Sequence, residues 1–97
     1  MLEKFHVAKE DIIHIEEERL RSVTKEILMT QGISEKDALL ATDALIKADL
    51  RGVESHGVSN MLRAYLGAFK SNSINPKPNW KIVKETASCA TINSDNG

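Results

Sequence analysis

Arg51-Gly52-Val53-Glu54-Ser55-His56-Gly57 (RGVESHG) sits between two runs of helical periodicity. A helix connection needs a glycine or two. It does not need a Ser-His-Gly triplet with an arginine and a glutamate on the approach, so the stretch carries both the topology of the chain and its chemical interest.

Upstream, Ser34-Glu35-Lys36-Asp37 resembles a capping box with Asp in the Glu position and opens a helix that runs to about Leu50. Its expected packing stripe is Ala41, Ala44, Leu45 and Ala48, with Leu40 beside it; small residues there let a neighbouring helix approach closely. An earlier helix is expected from Ile15 to Gln31, with Leu20, Val23, Ile27 and Thr24 on one stripe and Gly32 as its stop. Glu16, Glu17 and Glu18 suit the positive end of its dipole. Downstream, Val58, Met61, Leu62, Tyr65 and Phe69 recur at helical spacing, which predicts a third helix from about Val58 to Ser71. Phe5-His6-Val7 reads as a short strand, and Ile12 to Ile15 as an apolar patch leading into the first helix.

The character changes at Asn75. Pro76 and Pro78 force an extended connector, after which Trp80–Glu85 alternates as a strand. A second strand is expected around Ala90 and Ile92, with Thr86-Ala87 near the turn and turn chemistry at Asp95-Asn96-Gly97. The predicted fold class is α+β: a mainly α, orthogonal three-helix bundle over residues 1–74, then a connector and the first strands of a sheet over 75–97.

Bulk composition narrows the function classes. The chain has 97 residues, 41% apolar and 28% charged, with a formal net charge of −1. A single small domain of this balance is an ordinary globular chain, with no basic excess for a nucleic acid. No apolar run is long enough to span a membrane. The single cysteine, Cys89, excludes an internal disulfide and fits a reducing cytoplasm. Cys89 has no Cys or His at ligand spacing, so no metal site is expected. There is no Gly-rich phosphate fingerprint.

If the third helix starts near His56, then His56, Asn60 and Arg63 share one side of it, apart from the apolar stripe. Histidine moves protons near neutral pH, and arginine grips a carboxylate at two points. Helix N-terminal N–H groups favour an anion, and Gly57 admits a ligand or a neighbouring backbone. Together these make half of a site for a small carboxylate. Each residue also has a plainer explanation. His56 serves equally as a structural or exposed loop histidine, Ser55 as a helix N-cap and Arg63 as a solvated surface cation. Arg51 and Glu54 can simply pair, Asp49 is a charge near a helix end, and His6 and His14 have no partner pattern.

The stretch from Ala48 to Tyr65, ADLRGVESHGVSNMLRAY, resembles the N-terminal signature of the malate/L-lactate dehydrogenase family. That family includes ureidoglycolate and sulfolactate dehydrogenases and is distinct from the Rossmann-fold lactate and malate dehydrogenases. Gly32 with Ser34, Asp37 and Ala38 is similar to the family's turn between its first helices. Ile74-Asn75-Pro76-Lys77-Pro78 is similar to its connector, and Ala90–Gly97 to the opening of its sheet domain.

The resemblance, from about residue 15 onward, implies hydride transfer between NAD or NADP and a 2-hydroxy or 2-oxo acid. It further implies a non-Rossmann mixed-sheet domain for the cofactor, begun near Trp80, and a cleft completed by the second subunit of a homodimer. It places His56 at the cleft as a catalytic residue that also contacts cofactor beside Gly57, with Ser55, Asn60, Arg63 and Arg51 toward the substrate. Two departures stand out. The family's arginine four residues after the Ser-His-Gly histidine is Asn60 here, with Arg63 three residues further on. The family's principal catalytic histidine and most cofactor contacts would lie beyond Gly97, so these 97 residues alone are expected to be inactive. The competing reading is a small helical interaction or dimerisation module without catalysis, with a helix-turn-helix DNA reader as its weaker variant. Binding of NADH by the complete protein separates enzyme from module.

Overall fold

A computed structural model describes residues 7–97. The expected strand at Phe5-His6-Val7 lies almost wholly outside the described residues, and Val7 itself has no regular structure. Three helices follow in order: α1 (Glu17–Met29), α2 (Glu35–Leu50) and α3 (Arg63–Lys70). A single-turn π-helix, Val58–Leu62, runs directly into α3. A hairpin of β1 (Lys81–Glu85) and β2 (Ala90–Asn93) closes the described chain. The expected α+β class is what forms.

The starts and stops follow from local chemistry. Ser34 caps α2, its hydroxyl accepting from the Asp37 N–H at 3.2 Å, which is half of the anticipated box. At the other end of α2, Gly52 adopts φ +75°. The Val53 N–H then reaches back to the Ala48 carbonyl at 2.8 Å, and the Gly52 N–H reaches the Asp49 carbonyl at 3.0 Å. That pair of bonds satisfies carbonyls the helix leaves open, and the positive φ is why glycine stands there. Asn72 does the same after α3 at φ 59°, with the Ser73 N–H on the Ala68 carbonyl at 2.8 Å. Lys9–Asp11 forms one turn of 3₁₀-helix, while Ile12, Ile13 and Ile15 stay exposed rather than leading a helix inward.

The core lies where α2 meets α1 on one side and the π-turn and α3 on the other. Leu45, Ile46 and Val58 are buried together, with Leu20, Met61, Leu62 and Tyr65 packed against them. The third-helix stripe holds at Val58, Met61, Leu62 and Tyr65, while Phe69 lies outside this cluster. Two other stripes are rotated. On α1 the buried residues are Thr24 and Leu28, while Val23 is 52% exposed. On α2 they are Ala38, Thr42, Leu45 and Ile46, while Ala44 and Leu40 face out. Residues 38–48 of α2 are apolar nearly all round, so spacing alone does not choose a face there. Thr24 and Thr42 are both buried on this face, and their hydroxyls have no hydrogen-bond partner among the described residues.

Charge ties the outer edges of α1 and α2. Arg21 spans Asp43 at 2.9 Å and Glu17 at 2.8 Å, and Lys47 reaches Asp43 at 2.7 Å. The hydrogen bonds from Lys47 and Arg21 hold the Asp43 carboxyl below its ordinary range. Bonds to Glu17 and Asp43 raise the Arg21 guanidinium.

In the hairpin Lys81 pairs with Asn93 and Glu85 with Ala90, antiparallel, with a bulge between Ile82 and Lys84. Both strands are exposed along their length. The hairpin is anchored from its far end. The Asn75 N–H donates to the Asn96 carbonyl at 2.7 Å, the Asn79 N–H to the Asp95 carboxylate at 2.8 Å, and the Asn96 side chain to the Ser73 carbonyl at 2.9 Å. Asp95 and Asn96 take φ 54° and 61°, the left-handed conformation these two residue types tolerate best.

Candidate functional site

The RGVESHG stretch is built as a double turn. Arg51 and Gly52 terminate α2; Glu54–His56 then form one turn of 3₁₀-helix, and Gly57 is extended at φ −88°, ψ −171°. The helix that follows begins at Val58, not at His56, and its first turn is π. Gly57 thus separates His56 from Asn60 and Arg63, and the wide π-turn alters the angular spacing behind it. The one-sided array of His56, Asn60 and Arg63 rested on a helix starting near His56, and that helix does not form. π-turns of this kind concentrate at functional positions.

His56 is exposed, and the Ser55 hydroxyl lies 2.8 Å from its Nδ1. That contact orients the ring through Nδ1. Asn60 turns toward the loop: its Nδ2 donates to the Glu54 carbonyl at 2.8 Å. The same carbonyl accepts from the Gly57 N–H at 3.2 Å. Arg51, at the end of α2, and Arg63, the first residue of α3, are exposed, and neither is ion-paired with another described residue. The simple Arg51–Glu54 pair does not form; instead the Glu54 Oε2 is buried with no hydrogen-bond partner.

The residue that sequence reasoning undervalued is Asp49. Its Oδ2 accepts from the Val58 N–H at 2.9 Å, so a side chain from the last turn of α2 caps the start of the next helix. The site for an anion at that helix N-terminus is filled by the protein's own carboxylate. Gly57 makes this possible: a Cβ there would run into both the Asp49 carboxylate oxygens and its carbon. The close approach allowed by Gly57 is therefore to Asp49. A signal was present in the sequence. An acid in the last turn of a helix opposes the dipole, so it calls for a second role.

Beneath the double turn lies a groove of about 410 Å³ lined by Ile13, His14, Ile15, Glu17, Leu20, Ile46, Asp49, Leu50 and Glu54. His56, Ser55, Asn60 and Arg63 do not line it. Among the described residues, no group of three or more His, Cys, Asp or Glu side chains comes together to hold a metal ion. No described helix is long and apolar enough to cross a membrane.

The malate/L-lactate dehydrogenase family profile matches residues 15–97. A malate dehydrogenase of Pyrococcus horikoshii is 39% identical over 97 residues, covering 100% of this chain and 26% of the relative. An L-sulfolactate dehydrogenase of Methanocaldococcus jannaschii is 42% identical over 72 residues, 74% of this chain and 21% of the relative. The solved structure of the P. horikoshii malate dehydrogenase superposes with a TM-score of 0.86 at 37% identity, covering 95% of this chain and 26% of that one. The chain spans about a quarter of the length of the curated relatives it matches, 26% for the P. horikoshii protein.

Proposed function

The chain belongs to the malate/L-lactate dehydrogenase family, and from that membership we propose that it forms one wall of the active site in an enzyme interconverting a 2-hydroxy acid and a 2-oxo acid. The observation that carries this is the double turn: an exposed His56, oriented by Ser55 and standing at a π-turn. A nicotinamide, NAD or NADP, supplies the hydride when bound. The helix N-terminus at Val58 does not fit that cofactor's phosphates, because the Asp49 carboxylate takes the leading N–H and repels a further anion.

What remains for these residues is contact with the reacting acid and the nicotinamide end. His56 is exposed and its Nδ1 is tied to Ser55, which suits a group whose Nε2 donates a hydrogen bond or a proton to the oxygen on C2. Arg63 and Arg51, both exposed, are the candidate grips for the acid's carboxylate. Gly57 serves the nicotinamide contact indirectly, by letting Asp49 fix the path of the backbone beside His56. The substrate is a small hydroxy acid of the malate or sulfolactate kind, the names carried by the relatives. The cleft is completed by a second subunit, and the residues from 75 onward open the sheet that holds the cofactor.

The test is substrate-dependent oxidation of NADH and NADPH by the complete protein, offered the 2-oxo counterparts of malate, lactate and sulfolactate. Turnover of at least one supports the assignment. Absence of both turnover and nicotinamide binding overturns it in favour of a non-catalytic helical module.

A further inference from the structure

Resting on that reading, we infer that Asp49 and Asn60 are positioning residues for His56, clamping the Glu54–Gly57 turn from its two sides so that the imidazole is presented at a fixed angle. Three observations converge on this. Asp49 holds the Val58 N–H at 2.9 Å and fills the space that a side chain at residue 57 would occupy. Asn60 holds the Glu54 carbonyl at 2.8 Å from the other side, and that carbonyl also accepts from Gly57. The turn begins on the Val53-to-Ala48 bond of the α2 terminus. Val53, Glu54 and Val58, which flank Ser55 and His56, are thus each held by a bond from outside the turn, while the two side chains are tied to each other alone among the described residues.

This also explains Asn60 at the position where the resemblance leads one to expect a substrate-binding arginine. A short carboxamide reaches back to a carbonyl six residues earlier and is used up there. Carboxylate binding is then left to arginines outside the clamp, Arg63 or Arg51, neither of which is spent on a described ion pair. The clamp is rigid where it needs to be: small misplacements of a reacting group cost rate steeply, by about a hundredfold for an error near 1 Å.

The experiment compares Asp49→Ala, Asp49→Asn and Asn60→Ala with the parent in the complete protein, each assayed well below its own melting temperature. Asp49→Ala is expected to lower kcat by about tenfold or more, with KM for the 2-oxo acid changing far less. Asp49→Asn keeps an acceptor oxygen for the Val58 N–H and should recover most of the loss. Asn60→Ala, which leaves the helix cap in place, should lower kcat in the same direction; it stands in if Asp49→Ala does not fold. Amide hydrogen exchange gives a readout independent of turnover. In Asp49→Ala the Gly57 N–H, which Asp49 does not itself bind, should exchange faster along with Val58. A parent that turns over substrate while all three variants match it overturns the inference, as does equal loss in the Ala and Asn variants of Asp49. Unchanged Gly57 exchange in Asp49→Ala overturns it whether or not the parent is active. A parent without turnover but with the expected exchange pattern counts against the dehydrogenase reading alone.

Discussion

At Gly57 the absent side chain matters because of a carboxylate, not because of the backbone. Its φ of −88° is one that any residue adopts, so the barrier to alanine is the Asp49 carboxylate, whose atoms are the nearest a Cβ would meet. Gly57→Ala is therefore expected to destabilise by about 1–3 kcal/mol in chemical denaturation, the usual cost of overpacking. Asp49→Ala costs about 0.5–2 kcal/mol as a lost cap. The double variant should cost less than the sum, with coupling of about 0.5–3 kcal/mol, because removing Asp49 makes room for the methyl group. Strict additivity would show that the two residues do not meet as described. The SHG triplet stood out in the sequence, but the Ser55–His56 contact did not. The Asp49 cap was signalled only by an acid in the last turn of a helix; its partner was not legible, because Val58 lies nine positions on and spacing rules reach only within one element.

Helix α2 shows how far an element can be read from pattern. Its start at Ser34 follows from cap chemistry and its end at about Leu50 from the pattern, and both hold. Its buried face does not follow, because the stripe is chosen by two neighbours at once, α1 and the π-turn. Leu45, 3% exposed, and Leu40, 65% exposed, make the contrast measurable. Leu45→Ala should cost about 2–5 kcal/mol in thermal or denaturant unfolding, as for a buried leucine. Leu40→Ala should stay within about 0.5 kcal/mol, as for a surface change. Ser34→Ala should cost about 1 kcal/mol through the lost bond to Asp37. The third element was read well in its packing stripe and wrongly in its first turn, since a π-turn leaves no mark in hydrophobic spacing this short.

For the molecule as a whole, the charged edge joining α1 to α2 sets a mild acid sensitivity. Asp43 has its folded-state ionisation depressed by Lys47 and Arg21, so the stabilisation is present above the ordinary carboxylate range and is lost as pH falls through the folded value. The melting-temperature gap between the parent and Asp43→Asn should be full at neutral pH and close below about pH 4. It should be modest throughout, because these groups are open to solvent screening. The helical unit, the connector and the hairpin were all legible as a sequence. The solvent-facing apolar side chains of the hairpin, Trp80, Val83 and Ile92 among them, were not, because alternation predicts a strand without saying what covers it. The most direct test of the proposed site is His56→Ala in the complete protein, measuring kcat/KM for the 2-oxo acid beside the melting temperature. An active-site histidine predicts a loss of about a hundredfold or more, with stability held within about 0.5 kcal/mol because the ring is exposed. Unchanged turnover, or a loss of activity that only follows loss of fold, would contradict it.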